Sequence, residues 1–191
     1  MVLMGFDLRS GDALLVVDVQ RDFCAGGALA VPGGDEVVPV LNRWLRAAEK
    51  AGIPIFLSRD WHPRGHLSFA SSGGPWPEHC VQDTRGAELH GELLQPASAR
   101  RVTKGARFDK DQNSAFDDTG LDVELRRLGV RRLWVGGLAQ DVCVHDSVVD
   151  ALRAGFQVCL IRDATRPVDT EAGQRALAAM REAGARIETT D

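Results

Sequence analysis

The stretch ALLVVDVQRDFCAGGALAVPGGDEVVPVLNRWLRAAEKAGIPIFLSRD (13–60) decides the fold class. It begins with a short apolar run, ALLVVDV (13–19), and ends with another, IPIFLSRD (53–60). Between them, EVVPVLNRWLRAAEKAG (36–52) spaces its apolar residues at the helical period and closes on Gly52, a residue that stops helices by taking a left-handed backbone. The reading is strand, helix, strand.

Working outward, the same alternation returns in RRVTKG (100–105), GLDVELRRLG (120–129), RRLWVGGL (131–138), DVCVHDSVVDALRAG (141–155), FQVCLIRD (156–163), TEAGQRALAAMREAG (170–184) and RIETT (186–190). Strands joined by short crossovers through helices form parallel pairs, so the expected fold is a three-layer α/β/α arrangement around a mostly parallel central sheet, Rossmann-like in plan. Residues 60–99 break the rhythm: they carry Gly, Pro, Ser, Trp and His in place of a periodic apolar stripe, and a loop of that length is usually functional. No repeat, low-complexity tract or linker divides the chain, which is read as a single domain over 1–191.

Composition narrows the function. With 44% hydrophobic and 26% charged residues, the 191-residue chain is long enough to bury one substantial core. The net charge of -4 and the absence of any long Lys/Arg run exclude a nucleic-acid partner and favour a small-molecule substrate. The N-terminal region has no basic segment ahead of an apolar one, and no stretch approaches the roughly 20 apolar residues a membrane span needs, so no membrane association and a cytoplasmic location are expected. Cys24, Cys80, Cys143 and Cys159 are scattered without CxxC spacing and are read as free thiols. A homo-oligomer is left open.

In open α/β sheets ligands bind beyond the carboxyl ends of the strands, so polar residues that end apolar runs deserve inspection. Asp18 interrupts ALLVVDVQ, Asp60 closes IPIFLSRD, Lys104 closes RRVTK, and Cys143 follows RRLWVGGLAQD at the start of the next helix. Any one alone is a weak signal, since an Asp at a strand end commonly satisfies backbone donors; together they would face one sheet edge. Cys143 is the candidate nucleophile, its thiol eased toward thiolate by a helix N-terminus and a nearby Lys. Asp18 would take the thiol proton and later return it to a departing amine, and Lys104 would hold that carboxylate. The small residues and turn in GGLAQDVC would let backbone N–H groups near Ala139 and Cys143 point at a developing oxyanion.

A second constellation lies in DWHPRGH and WPEHC: Asp60, His62, His66 and His79. Three of the five His fall between positions 62 and 79, beside an Asp, and such a set of N and O donors suits one divalent ion, Zn first, Fe or Mn next. Cys80, adjacent to His79, is read as structural. Phe23, Trp61 and Trp76 are near enough in sequence to wall a pocket for a flat ring, with Trp61 read rather as core.

Through VVDVQRDFCAGGALAVPGG, SRDWHPRGHLSF, WPEHCVQDTRGAELH, TKG and GGLAQDVCVHDSVVDALRAGF, spanning roughly residues 13 to 163, the chain resembles the nicotinamidase/pyrazinamidase branch of the isochorismatase-like cysteine hydrolases. The resemblance implies a catalytic triad of Asp18, Lys104 and Cys143, and metal ligands Asp60, His62 and His66 with His79 as a fourth, the ion meeting the pyridine nitrogen of the substrate. It also implies pocket walls at Phe23, Trp76 and Ala139, and a cis peptide between Leu138 and Ala139 that turns the backbone donors of Ala139 and Cys143 toward the oxyanion. The implied reaction is hydrolysis of nicotinamide, and of pyrazinamide, through a cysteine thioester, in NAD salvage. Two departures stand out: Gln140 where the family often has Thr, and DQNSAF (111–116) in place of a stretch with an aromatic residue.

Three alternatives stay open at this stage. A metal-free cysteine amidohydrolase acting on a carbamoyl or maleamate-type substrate would share Asp18, Lys104 and Cys143, but has no use for the HxxxH loop. A vinyl-ether hydrolase of the isochorismatase kind lacks the nucleophilic cysteine. An inactive scaffold domain would have no reason to keep both constellations.

Overall fold

A computed structural model describes residues 6–190. Strands β1 (Asp12–Val17), β2 (Ile55–Asp60), β3 (Arg100–Lys104), β4 (Arg132–Leu138), β5 (Gln157–Arg166) and β6 (Arg186–Glu188) make one sheet in the order β3-β2-β1-β4-β5-β6. Every pairing is parallel, so the expected mostly parallel sheet is wholly so. Helices α1 (Val37–Ala51), α2 (Leu121–Arg127), α3 (His145–Arg153) and α4 (Thr170–Glu182) supply four of the five crossovers, all but the one from β2 to β3.

The inner strands β1 and β4 are buried on both faces, and alternate side chains serve different cores, as the two-residue period of a strand requires. Leu14 and Val16 of β1 pack with Val38, Leu41, Trp44 and Leu45 of α1 on one face. Ala13, Leu15 and Val17 pack on the other with Leu125 of α2, Val148 and Ala151 of α3, and Ala176 and Met180 of α4. Helix α1 ends at Gly52, which adopts φ +67, as the sequence suggested.

The order of strands reverses direction at β1: the chain runs outward through β2 and β3, then returns to lay β4 on the opposite side of β1. Loops leaving β1 and β4 therefore part from one another and leave a crevice at the carboxyl edge. Strand β5 outruns the expected end at 163, because a register shift between Val135 and Gly137 lets Thr165 and Arg166 pair with Gly137 and Leu138. Residues 61–99 contain no long element but are not loose: isolated bridges join Gln20 to Leu89, His62 to Val81 and Phe69 to Trp76, and His62, His66, Phe69, His79 and Cys80 are buried.

At the opposite edge, Asp12 and Arg132 are register partners on β1 and β4. Arg132 donates Nε to Asp12 Oδ1 at 2.8 Å and Nη2 to Oδ2 at 2.6 Å, and Trp134 Nε1 adds a third donor at 3.2 Å. Removing one member of a buried ion pair strands the other charge, so Arg132→Ala is expected to lower stability by about 3–5 kcal/mol, read as a shifted urea-unfolding midpoint with unchanged slope.

Candidate active site

Four residues singled out in the sequence meet at the carboxyl edge. Lys104 ends β3 and its ammonium is completely buried, 2.7 Å from Asp18 Oδ2, 2.6 Å from Asp60 Oδ1 and 3.6 Å from Cys143 Sγ. Asp60 and Lys104 are register partners at the ends of β2 and β3, so the sheet itself sets that contact. Asp18 follows β1 at φ +46, a left-handed conformation Asp tolerates better than most residues. Ser58 braces it, donating its hydroxyl to Asp18 Oδ1 at 2.6 Å while accepting the Asp18 N–H at 3.2 Å.

The charges decide the protonation states. Burial alone would raise Asp60, but the Lys104 ammonium outweighs it and holds Asp60 well below the usual carboxylate range. Asp18 goes the other way: burial raises it, against the pull of Lys104 and with added repulsion from Asp60. Lys104 stays charged, since the two carboxylates overcome its loss of water. Cys143 departs from the sequence expectation. Burial, with the Asp18 and Asp60 carboxylates, raises its thiol well above the ordinary value despite Lys104, so the resting side chain is a neutral thiol. Cys143 is buried in a π-helical turn, Gln140–Val144, that runs directly into α3, and the burial outweighs what the helix start would contribute.

The peptide between Leu138 and Ala139 is cis. Ala139 lines the pocket, and its carbonyl accepts the N–H groups of Val142 and Val144, both at 3.1 Å, which closes the turn carrying Cys143.

Asp60 also faces the histidines. The donor atoms of Asp60, His62 and His79 all lie within 4.8 Å of one another and are buried. His62 Nδ1 donates to the Gly105 carbonyl at 2.8 Å and His79 Nδ1 to the Pro77 carbonyl at 2.8 Å. Carbonyls only accept, so both rings carry their proton on Nδ1 and leave an Nε2 lone pair, the tautomer a metal requires. His66 falls outside that set of three, yet stacks on His62 with centroids 4.3 Å apart, and its Nε2 is buried without a hydrogen-bond partner among the described residues. One carboxylate, two oriented imidazoles and a third imidazole with an idle nitrogen fit a divalent ion. Asp18, Asp60 and Cys143 are as closely grouped, but the Lys104 ammonium already fills their centre.

A cleft of about 430 Å³, its open mouth included, joins the two clusters. Phe23, Trp76, His79, Asp60, His62, Ala139 and Cys143 line it, so every residue expected in the pocket is there except the wholly buried Asp18, Lys104 and His66, which lie behind its walls. Trp61 is outside the lining, half-buried beneath the Arg59 guanidinium.

Sequence reasoning missed the residues that brace this arrangement. Gln20 is fully buried; its Oε1 accepts the Asp60 N–H at 2.8 Å while Nε2 donates to the carbonyls of Asp60 and Ala87 at 2.8 and 2.9 Å. Asp22 Oδ2 accepts the Cys80 N–H at 2.7 Å and so anchors the loop that bears His79. Leu29, Val31, Asp111, Asn113, Val142 and Val168 complete the pocket. The one available signal was polar residues set in apolar runs, Ser58 in IFLSRD and Gln20 after VVDV.

Residues 12–191 match the isochorismatase domain family. The chain is similar to the nicotinamidase of Escherichia coli, 44% identical over 83% of this chain and 84% of that protein. Among solved structures it is similar to the pyrazinamidase of Pyrococcus horikoshii in complex with zinc, with a TM-score of 0.91, 44% identity and coverage of 94% and 99% of the two chains. It is also similar to L. infantum PnC1 in complex with nicotinate, at a TM-score of 0.87 and 37% identity, covering 95% and 93%. The chain belongs to the isochorismatase domain family, on its nicotinamidase/pyrazinamidase branch.

Proposed function

We propose that the chain is a cysteine amidohydrolase, one domain over residues 1–191, that converts nicotinamide and water to nicotinate and ammonia and also accepts pyrazinamide. The observation that carries this reading is a thiol, Cys143, at the wall of an aromatic-lined pocket with a buried Asp–Lys pair behind it and an Asp–His–His donor set beside it. The nicotinamidase relatives support the choice of ring.

In this reading Asp18 takes the proton from Cys143 as sulfur attacks the carboxamide carbon. Backbone N–H groups of Ala139 and Cys143 stabilise the oxyanion. When the intermediate collapses, Asp18 gives its proton to the departing nitrogen, and ammonia leaves a nicotinoyl thioester on Cys143. Water then attacks the thioester with Asp18 as base, and the thiol regains a proton as nicotinate forms. Lys104 keeps two carboxylates and a developing thiolate tolerable in one buried space. Phe23 and Trp76 wall the ring. Asp60, His62 and His79, with His66 behind them, would hold a divalent ion, zinc first, which supplies an electron-pair acceptor for the ring nitrogen. A cytoplasmic place in NAD salvage accords with this chemistry; among the described residues no helix is long and apolar enough to cross a membrane.

Ammonia release from nicotinamide by metal-replete protein tests the assignment. Cys143→Ala is expected to lower it by roughly a thousandfold or more, and no release from wild-type protein would sink the reading. Dialysis against a chelator should abolish turnover and zinc restore it; full activity without metal would favour a metal-free amidase of the same family.

Gly105 offers a test through the metal alone. It sits at φ +72, and a Cβ there would lie 2.6 Å from His62 Cε1 and 2.7 Å from its Nδ1. Gly105→Ala should push the ring aside and weaken zinc affinity by about 10–100-fold in calorimetric titration, while the far-UV circular dichroism stays unchanged. Undiminished affinity would remove His62 from the ligand set.

A further inference from the structure

The two residues just before the reactive turn's Val142 and Cys143 take no part in the steps above, yet both are fastened to one distant segment. Asp141 accepts two successive backbone amides, Val168 N–H on Oδ1 at 2.9 Å and Asp169 N–H on Oδ2 at 3.1 Å. Gln140, itself buried, donates Nε2 to Thr165 Oγ at 2.7 Å. The connector from β5 to α4 is thereby tied to the turn that carries Cys143. Asp169 carries the tie onward by capping α4, its Oδ1 accepting the Ala172 N–H at 2.8 Å.

Val168 is a wall of the pocket, yet 36% of it is exposed. A side chain that open is not held by packing, so its distance from Cys143 depends on what holds its backbone. Both carboxylate oxygens of Asp141 are engaged on neighbouring amides, which fixes the side chain and the segment together. We propose that Asp141 is a positioning residue: it holds the Val168 wall at a set distance from Cys143 and so fixes the width of the slot that receives the ring. The proposal rests on the amide-hydrolase reading for its kinetic consequence but not for the clamp itself.

The test combines kinetics with amide hydrogen exchange. Ammonia release from nicotinamide and from a ring-methylated nicotinamide is measured for wild type, Asp141→Ala, Val168→Ala and the double variant. In Asp141→Ala, KM for nicotinamide should rise by roughly tenfold or more with a much smaller change in kcat, and the preference for the unmethylated ring should narrow. Because the clamp acts through Val168, the double variant should be no worse than the poorer single one. Additive losses, or a loss confined to kcat, would overturn the proposal, since a residue that only stabilises the fold gives no such coupling. Should Asp141→Ala fail to fold, Asp141→Asn, which keeps one acceptor oxygen, is read in its place. Exchange should quicken at both the Val168 and Asp169 amides in Asp141→Ala, and at one of the two in Asp141→Asn. If wild type released no ammonia, the hydrolase reading would fail while these exchange rates still judged the clamp; unchanged protection would overturn it.

Discussion

A lysine ammonium with no access to water, between two deeply buried carboxylates, is the constraint on which the rest of the site depends. Any one of these charges alone would be prohibitive at that depth, and the group is tolerable only when the geometry is close and the remaining lone pairs are satisfied. Lys104 lies within 2.7 Å of both Asp18 and Asp60, and each carboxylate has its own brace: Ser58 on Asp18, and Gln20 on the backbone of Asp60. Asp60 is shared: Oδ1 faces Lys104 while Oδ2 lies 3.6 Å from His62 Nε2. The proton-handling half and the donor set beside the ring are thus two sides of one carboxylate.

The sheet order explains why this arrangement is affordable at this edge. Parallel register puts Asp60 and Lys104 side by side at the ends of β2 and β3, and the reversal at β1 opens space between the loops after β1 and β4. Asp18 comes from the first of those loops, and Ala139 and Cys143 from the second. The segment after β2 then folds over the same opening, and Gly105, directly after Lys104, leaves room for the His62 ring where any side chain would collide. Substantial ion pairs at the opposite edge, such as Asp12 with Arg132, leave the binding edge free of that structural duty.

The alternation of strand and helix was legible because both periodicities are strong, and the strand-end residues because a parallel sheet brings the ends of its apolar runs to one edge. The spacing marked His62, His66 and His79, but not that His79 joins Asp60 and His62 more closely than His66 does, because the path of their segment is set by contacts such as Phe69 with Trp76 and His62 with Val81. Gln20 was hidden for a different reason, since its amide satisfies backbone groups of Asp60 and Ala87, a role without a spacing rule. Val168 was unreadable because β5 runs to Arg166 through a register shift, which carries the following connector up to the pocket.

The one electrostatic expectation that failed bears on mechanism. A helix dipole and a nearby lysine suggested a thiol that loses its proton more easily, but Cys143 is buried in a π-helical turn facing two carboxylates, and its thiol is raised. A thiolate added to that cluster would be a further buried negative charge. Passing the thiol proton to Asp18 avoids this: the cluster holds one net negative charge before the transfer and one after it, with only its position changed. Burial has already raised Asp18 toward accepting that proton, while Lys104 keeps Asp60 ionised. On the proposed reading, the nucleophile is therefore made at the moment of attack, by a proton shift within a fixed total charge, and the buried lysine serves to keep that total small.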